Sequence, residues 1–356
     1  MGNCQAALKK GTTVVIADDC NNDSSSTPPP SPLDVKVTET SIPSTIENDN
    51  FSIPIKIFTP IINNNNNNNK KNTIRAVVFF IHGGIFALGD MHSHPTISIA
   101  LSKLGLIVVT ASFRNGEEAP HETNVTTRDL MDVIHYCTTI YSELPFGLVG
   151  SSSGGFFAIQ LSQSLLLSSL SSSNNNNNNN NNNNDDRVVR PPSFCIPICP
   201  VADPYKRASY LRASISESQQ QLLEGRYNAV HTPEKSKFIL EKQLSFWKSD
   251  EEMMKAAESI KSGGSSSLST KSSITTATTS NNRVPTLLII GSADKNVPFD
   301  VTNDVQSWAT RTIVIGGYGH ELCDEIVNGG GYYCYLPDIE RFLDYCLGGE
   351  GEEESK

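Results

Sequence analysis

Short blocks of consecutive apolar residues, each followed by glycine or a polar turn, recur along most of this chain. They fall at residues 76–80 (AVVFF), 106–112 (LIVVTAS), 146–149 (FGLV), 194–201 (FCIPICPV), 284–290 (VPTLLII) and 312–315 (TIVI). Runs of this kind, bounded by turn residues, mark strands buried on both faces, because neither face has to meet water. Segments of mixed character with helical spacing lie between them, including 156–167 and 301–309. Alternation of the two predicts an α/β architecture with a mainly parallel, doubly wound sheet and helices on both faces. Ahead of these blocks, 34–45 and 51–59 alternate apolar and polar positions, which predicts an antiparallel pair at a sheet edge.

Several stretches lack any such pattern. Residues 1–33 are polar and end in a serine and proline cluster, predicting a flexible lead. Asparagine runs at 63–69 and 174–184 cannot bury enough apolar surface to order themselves and are expected to loop out between core elements. A Ser/Thr linker covers 263–280, and 348–356 is an acidic tail. What remains, 34–347, is enough for one large catalytic core. Between the sixth of the predicted strands from residue 34 and the next lies 203–262, with helix-like stretches at 209–224 and 233–260 and apolar residues such as Phe246, Trp247 and Met253.

The chemistry concentrates where blocks end. Gly150-Ser151-Ser152-Ser153-Gly154 fits G-x-S-x-G, a sharp strand-to-helix turn that lifts one serine hydroxyl clear of the sheet. Only Ser152 has glycine two positions to either side, so Ser152 is the candidate nucleophile. A serine hydroxyl needs a base, an acid to orient that base, and donors for the oxyanion. Asp294 follows the strand-like 284–290 in a loop, and His320 follows 312–315 in the glycine-rich stretch Gly316-Gly317-Tyr318-Gly319. The order Ser152, Asp294, His320 separates this hydrolase class from other serine hydrolase folds. Asp304, on a predicted helix, and Asp324, four residues past the histidine, lack the strand-end position. After 76–80 comes Ile81-His82-Gly83-Gly84, whose backbone N–H groups, with that of Ser153, make Gly83, Gly84 and Ser153 the candidate oxyanion hole. His82 reads as a structural residue of that loop.

These four separately spaced motifs together resemble the α/β-hydrolase superfamily, most closely its hormone-sensitive-lipase-like esterase and lipase branch. The Phe113-Arg114 pair after 106–112 is similar to an aromatic-arginine pair of that branch. The resemblance implies an α/β-hydrolase fold with 203–262 as a helical cap over the nucleophile. It also implies a carboxylesterase-like serine hydrolase acting on a small-molecule ester without a cofactor. Two departures stand out: Ile85 occupies the place of a third glycine, and Ser151 and Ser153 replace the usual acidic and alanine neighbours of the nucleophile. Amide or thioester hydrolysis on the same machinery, and ligand binding without turnover on the same scaffold, are the alternatives.

Net charge is −10, and nothing resembles a basic nucleic-acid surface. His92 and His94 have a spacing that could serve a metal, but no third ligand of recognisable spacing accompanies them, so a solvated or pocket-edge loop is expected and no metal. His135 falls within a helix-like segment and His231 in a polar connector, as packing or surface residues. Eight cysteines lack paired metal spacing and no apolar leader is present, which predicts a reducing, cytoplasmic setting. Met1-Gly2-Asn3-Cys4 partly matches a myristoylation start with a neighbouring palmitoylation cysteine, although Ala6 stands where serine or threonine is expected. Lipidation of Gly2 or Cys4 would make the protein peripheral to a membrane. Deleting residues 63–69 or 174–184 is expected to leave ester hydrolysis intact, and a large loss of turnover in either deletion would contradict their reading as inserts.

Overall fold

A computed structural model describes residues 12–15, 34–46, 50–62, 73–84, 86, 88–115, 125–174, 189–203, 207, 283–323 and 334–348. Among these residues nine strands form one sheet: β1 (Thr12–Val15), β2 (Val35–Pro43), β3 (Ser52–Pro60), β4 (Ala76–Ile81), β5 (Leu106–Ala111), β6 (Phe146–Ser151), β7 (Phe194–Ile198), β8 (Leu287–Gly291) and β9 (Arg311–Ile315). Their order across the sheet is β1-β9-β8-β7-β6-β4-β5-β3-β2. β2 and β3 pair antiparallel over nine residues, from Val35 opposite Pro60 to Pro43 opposite Ser52, as the alternating pattern predicts. β3 joins β5 antiparallel, and every other pairing is parallel.

Among the described residues five α-helices accompany the sheet: α1 (Pro95–Lys103), α2 (Val125–Ile140), α3 (Ser153–Asn174), α4 (Asn303–Trp308) and α5 (Leu336–Cys346). The apolar strand runs are explained by what they touch. In β4, Ala76, Val78 and Phe80 join the cluster that includes Ile97 and Leu101 of α1 and Ile339, Phe342 and Leu343 of α5. Val77, Phe79 and Ile81 face the opposite way, toward Leu130 and Val133 of α2 and Ala158 and Leu161 of α3. Each of these six β4 side chains is fully buried, so no position on the strand tolerates a polar residue. Burying aliphatic and aromatic side chains of this size contributes about 1.5–3 kcal/mol each before the entropy of ordering them is subtracted.

β4 lies between β5 and β6, whereas the chain visits β4, β5 and then β6. The winding direction therefore reverses at β4, and the loops after β4 and β6 diverge at one edge of the sheet. In open parallel sheets that edge, at the carboxyl ends of the strands, is where a crevice opens.

One expectation needs correction. The lead over residues 1–33 is not wholly outside the sheet, because Thr12–Val15 adds to the outer edge of β9, Thr12 opposite Thr312 and Val15 opposite Ile315. Thr-Thr-Val-Val is a β-branched run, and the unpaired backbone of β9 offers it a ladder of hydrogen bonds. Gly2, Cys4, the asparagine run 63–69, residues 175–184 of the second run, residues 204–206 and 208–262 of the expected cap, the Ser/Thr linker and the tail from 349 lie outside the described residues. Among the described residues, no helix is long and apolar enough to cross a membrane.

The end of β5 is tied to α2 by a buried ion pair. Arg114 donates from its backbone N–H and Nε to Asp129 Oδ2, both at 2.9 Å, and from Nη2 to Asp129 Oδ1 at 2.6 Å. The same guanidinium reaches Ser44 Oγ at 3.0 Å and lies 4.2 Å from the centre of the Phe51 ring, joining three segments distant in sequence. Asp129 is wholly buried, so its partner would be left with an uncompensated charge if the carboxylate were removed. Asp129→Ala is expected to destabilise the fold by about 3–5 kcal/mol, read as a lowered urea midpoint against wild type; an unchanged midpoint would show the pair to be energetically neutral.

Candidate active site

Four strands, β4, β6, β8 and β9, with β7 lying between β6 and β8, each deliver one predicted site element at the same sheet edge. Ser152 follows β6 with φ of 53°, a left-handed conformation that few non-glycine residues adopt. Its backbone is held from both sides: its N–H donates to Ile198 O at 3.0 Å, and its carbonyl accepts from Val201 at 3.0 Å and Phe156 at 3.3 Å. The flanking glycines are required by contact. A methyl group on Gly150 would lie 2.3 Å from Gly154 O, and one on Gly154 would lie 2.1 Å from Ile81 O and 2.4 Å from His82 O. The turn out of β6 thus packs backbone on backbone against the end of β4.

Asp294 stands three residues past β8 and is buried. Its Oδ1 accepts the N–H groups of Asn296 and Val297, both at 2.8 Å, which leaves Oδ2 to face His320. His320 Nδ1 lies 2.9 Å from Asp294 Oδ2, and His320 Nε2 lies 2.8 Å from Ser152 Oγ. A carboxylate can only accept, so Nδ1 is the donor and Nε2 is left to accept the serine hydroxyl proton. Gly291 lets these two loops meet, since a side chain there would strike Tyr318 O at 2.4 Å and Gly319 O at 2.6 Å.

Gly83 sits directly beside the serine: a methyl group on it would lie 3.1 Å from Ser152 Cβ. The adjoining turn is closed by Leu88 N–H donating to Gly84 O at 2.8 Å. Ser153 is buried as the first residue of α3, where helix geometry leaves N–H groups without intrahelical partners. All six predicted site residues, Ser152, Asp294, His320, Gly83, Gly84 and Ser153, therefore lie at the ends of β4, β6, β8 and β9, and the first three form one hydrogen-bonded chain. Ile85 lies outside the described residues, as do Asp324 and His231, while Asp304 is exposed on α4.

His92 and His94 diverge. His92 is exposed, with Nδ1 3.3 Å from Lys56 Nζ and 3.8 Å from Glu39 Oε1. His94 turns inward, Nε2 3.3 Å from Ser151 Oγ and its ring edge-on to Phe80. His135 is a partly buried residue of α2. Two further features were not legible in the sequence. Phe86, with φ of 61°, packs edge-on against Phe156 and Phe157 beside Val201, Val297 and Val301. Cys199, one residue beyond β7, has its thiol next to Asp294 and His320. Its place after a central parallel strand was the available signal, because every such position opens onto the crevice.

His82 is a buried brace under this loop. Its Nδ1 donates to Gly83 O at 2.6 Å, and its ring stacks on Phe113 with centroids 4.3 Å apart. Burial lowers its pKa from 6.5 to about 4, against the opposing effect of the Gly83 hydrogen bond, so the ring is neutral near pH 7.

A sequence profile for the α/β hydrolase fold matches residues 78–249. Comparison with curated proteins finds no match. Among solved structures, carboxyl esterase 2 from the mycorrhizal fungus Tuber melanosporum aligns with a TM-score of 0.55 at 14% identity, covering 89% of each chain. The chain has the α/β-hydrolase fold. A hyperthermophilic esterase from the archaeon Pyrobaculum calidifontis aligns at TM-score 0.50 and 16% identity, covering 88% of this chain and 83% of the other. Brefeldin A esterase, a bacterial homologue of human hormone-sensitive lipase, aligns at TM-score 0.52 and 13% identity, covering 93% of this chain and 82% of its own.

The unfolded chain takes up the His82 proton near pH 6.5, whereas the folded chain resists it until about pH 4. Stability tied to the neutral ring is therefore complete above pH 6.5 and is lost as pH falls toward 4, by about 3 kcal/mol in all. Urea unfolding across this window is expected to show a shallower dependence on pH in His82→Asn than in wild type; equal slopes would assign the acid sensitivity to other groups.

Proposed function

We propose that this chain is a serine hydrolase that cleaves a carboxylic ester of modest size. The observation that carries the proposal is the hydrogen-bonded chain from Ser152 Oγ through His320 to Asp294 Oδ2, with distances of 2.8 and 2.9 Å. In this reading His320 Nε2 takes the proton from Ser152 Oγ as the oxygen attacks the substrate carbonyl. Asp294, its second oxygen fixed by two amides, holds the ring in the tautomer that leaves Nε2 free and stabilises the imidazolium that forms.

Negative charge then grows on the former carbonyl oxygen. The amides of Gly83, Gly84 and Ser153 are the donors assigned to it, an interaction that strengthens toward the transition state and so lowers the barrier. His320 returns its proton to the leaving alkoxide, leaving an acyl group on Ser152. Water deprotonated by the same nitrogen cleaves that acyl-enzyme, and neither half-reaction calls for a cofactor. Ester rather than amide or thioester cleavage is supported by the esterases among the similar folds. Ligand binding without turnover accounts poorly for a serine, histidine and acid already aligned within hydrogen-bond distance.

A fluorophosphonate probe reports an activated serine without a guessed substrate. Wild type is expected to label and Ser152→Ala not to label, with p-nitrophenyl ester turnover falling at least about 10⁴-fold in Ser152→Ala and by a similar order in Asp294→Asn. Folded wild type that fails to label, or Ser152→Ala that still labels, would overturn the assignment.

A further inference from the structure

β7 lies between β6 and β8, so the residue that follows it stands between the serine turn and the Asp294 loop. That residue is Cys199, buried, with φ of 43° and its N–H donating to Ile289 O of β8 at 2.7 Å. The backbone is thereby pinned with the thiol toward the histidine loop, Sγ 3.9 Å from Gly319 O. Cys199 Sγ, a carboxylate oxygen of Asp294 and a ring nitrogen of His320 all lie within 4.8 Å of one another. Sulfur, nitrogen and oxygen donors converging at one buried corner are the set that zinc and its thiophilic neighbours take, and not the all-oxygen set of magnesium or calcium.

We propose that Cys199, Asp294 and His320 form an inhibitory site for a thiophilic divalent cation such as Zn²⁺. Asp294 Oδ1 is committed to two amides, so the oxygen available to the ion is Oδ2, and the ring nitrogen beside it is Nδ1. Zinc bonds of about 2.0–2.3 Å place tetrahedral donors about 3.3–3.7 Å apart, which the three side chains reach by small rotations. On binding, the Cys199 S–H bond is replaced by a sulfur–metal bond and that proton leaves to solvent. The ring proton moves from Nδ1 to Nε2 as the metal takes the Nδ1 lone pair, and no electrons are transferred. Nε2 then carries a hydrogen and donates to Ser152 Oγ, so it can no longer accept the serine proton. The ion thus silences the base without touching the nucleophile. Its effect on turnover rests on the proposed serine-hydrolase reading; its binding does not.

Binding is read with Co²⁺ and the full chain, through the thiolate-to-cobalt charge-transfer band, and its consequence through fluorophosphonate labelling with and without Zn²⁺ or Mg²⁺. Wild type is expected to show the band, lose it to competing Zn²⁺, and be protected from labelling by Zn²⁺ but not Mg²⁺. Cys199→Ala should lose the band and label equally with or without Zn²⁺. His320→Gln should weaken cobalt binding more than about 100-fold, the upper end of what loss of a mere outer-shell partner costs. Cys199→Ser, closer in size, serves where the alanine variant does not fold. A wild type without the band, a band undiminished in both Cys199 variants, or a band that forms while labelling is unaffected by Zn²⁺ would overturn the proposal. Metal-free wild type that does not label would instead count against the serine-hydrolase reading, and the cobalt band would still decide the site.

Discussion

The backbone-on-backbone contact between the turn out of β6 and the end of β4 is the constraint on which the candidate site depends. Gly150 approaches the carbonyl of Gly154, and Gly154 in turn approaches the carbonyls of Ile81 and His82, at separations that leave no room for a single methyl group. Because the contact is this close, Ser152 is forced into a left-handed conformation and Gly83 is set against its Cβ. The strain of that conformation is held by three hydrogen bonds, from Ser152 N–H to Ile198 O and from Val201 and Phe156 to Ser152 O. Strain persists at such a residue only when the surrounding structure over-determines it, and here two strands and a helix do so.

A second consequence follows from the strand order. β4, β6, β7, β8 and β9 bring Gly83, Ser152, Cys199, Asp294 and His320 to one edge, each just past the end of its own strand. The sheet beneath is buried on both faces by α1 and α5 on one side and α2, α3 and α4 on the other. Rigidity there is transmitted to short loops, which is why Asp294 can be fixed by two local amides and still meet a histidine 26 residues later. Polar anchors complete the frame, with Arg114 on Asp129 and the neutral His82 stacked on Phe113. Both are buried polar groups that hold position by being satisfied or uncharged, since an unpaired charge at either place would be costly.

Much of this was legible in local pattern. Apolar runs over 76–80 and 106–112 read as strands because every position on β4 and β5 meets a helix or a neighbouring strand, and 34–45 read as an edge because β2 exposes most of its residues. β1 was missed because four β-branched residues inside a polar lead carry no periodicity, and their pairing depends on an edge of β9 supplied by residues some three hundred positions away. The spacing of glycines around Ser152 was legible because steric exclusion at a turn leaves its mark on the residues beside it. Cys199 was not, since a cysteine in an apolar strand has the same appearance whether it faces a helix or a histidine.

By itself the sequence determined the class of sheet, the order Ser152, Asp294 and His320, and the loops that carry them, because strand burial, turn sterics and nucleophile chemistry each act through residues close together in the chain. Only the tertiary structure decided that Asp294 Oδ2 lies at Nδ1 of His320 and Ser152 Oγ at its Nε2, that His94 turns toward Ser151 while His92 faces Lys56, and that Cys199 stands beside Asp294 and His320. Those outcomes depend on which strands become neighbours and on which way a side chain leaves its strand end. Both are set by packing between elements far apart in the chain, and a one-dimensional pattern does not encode distances across a sheet.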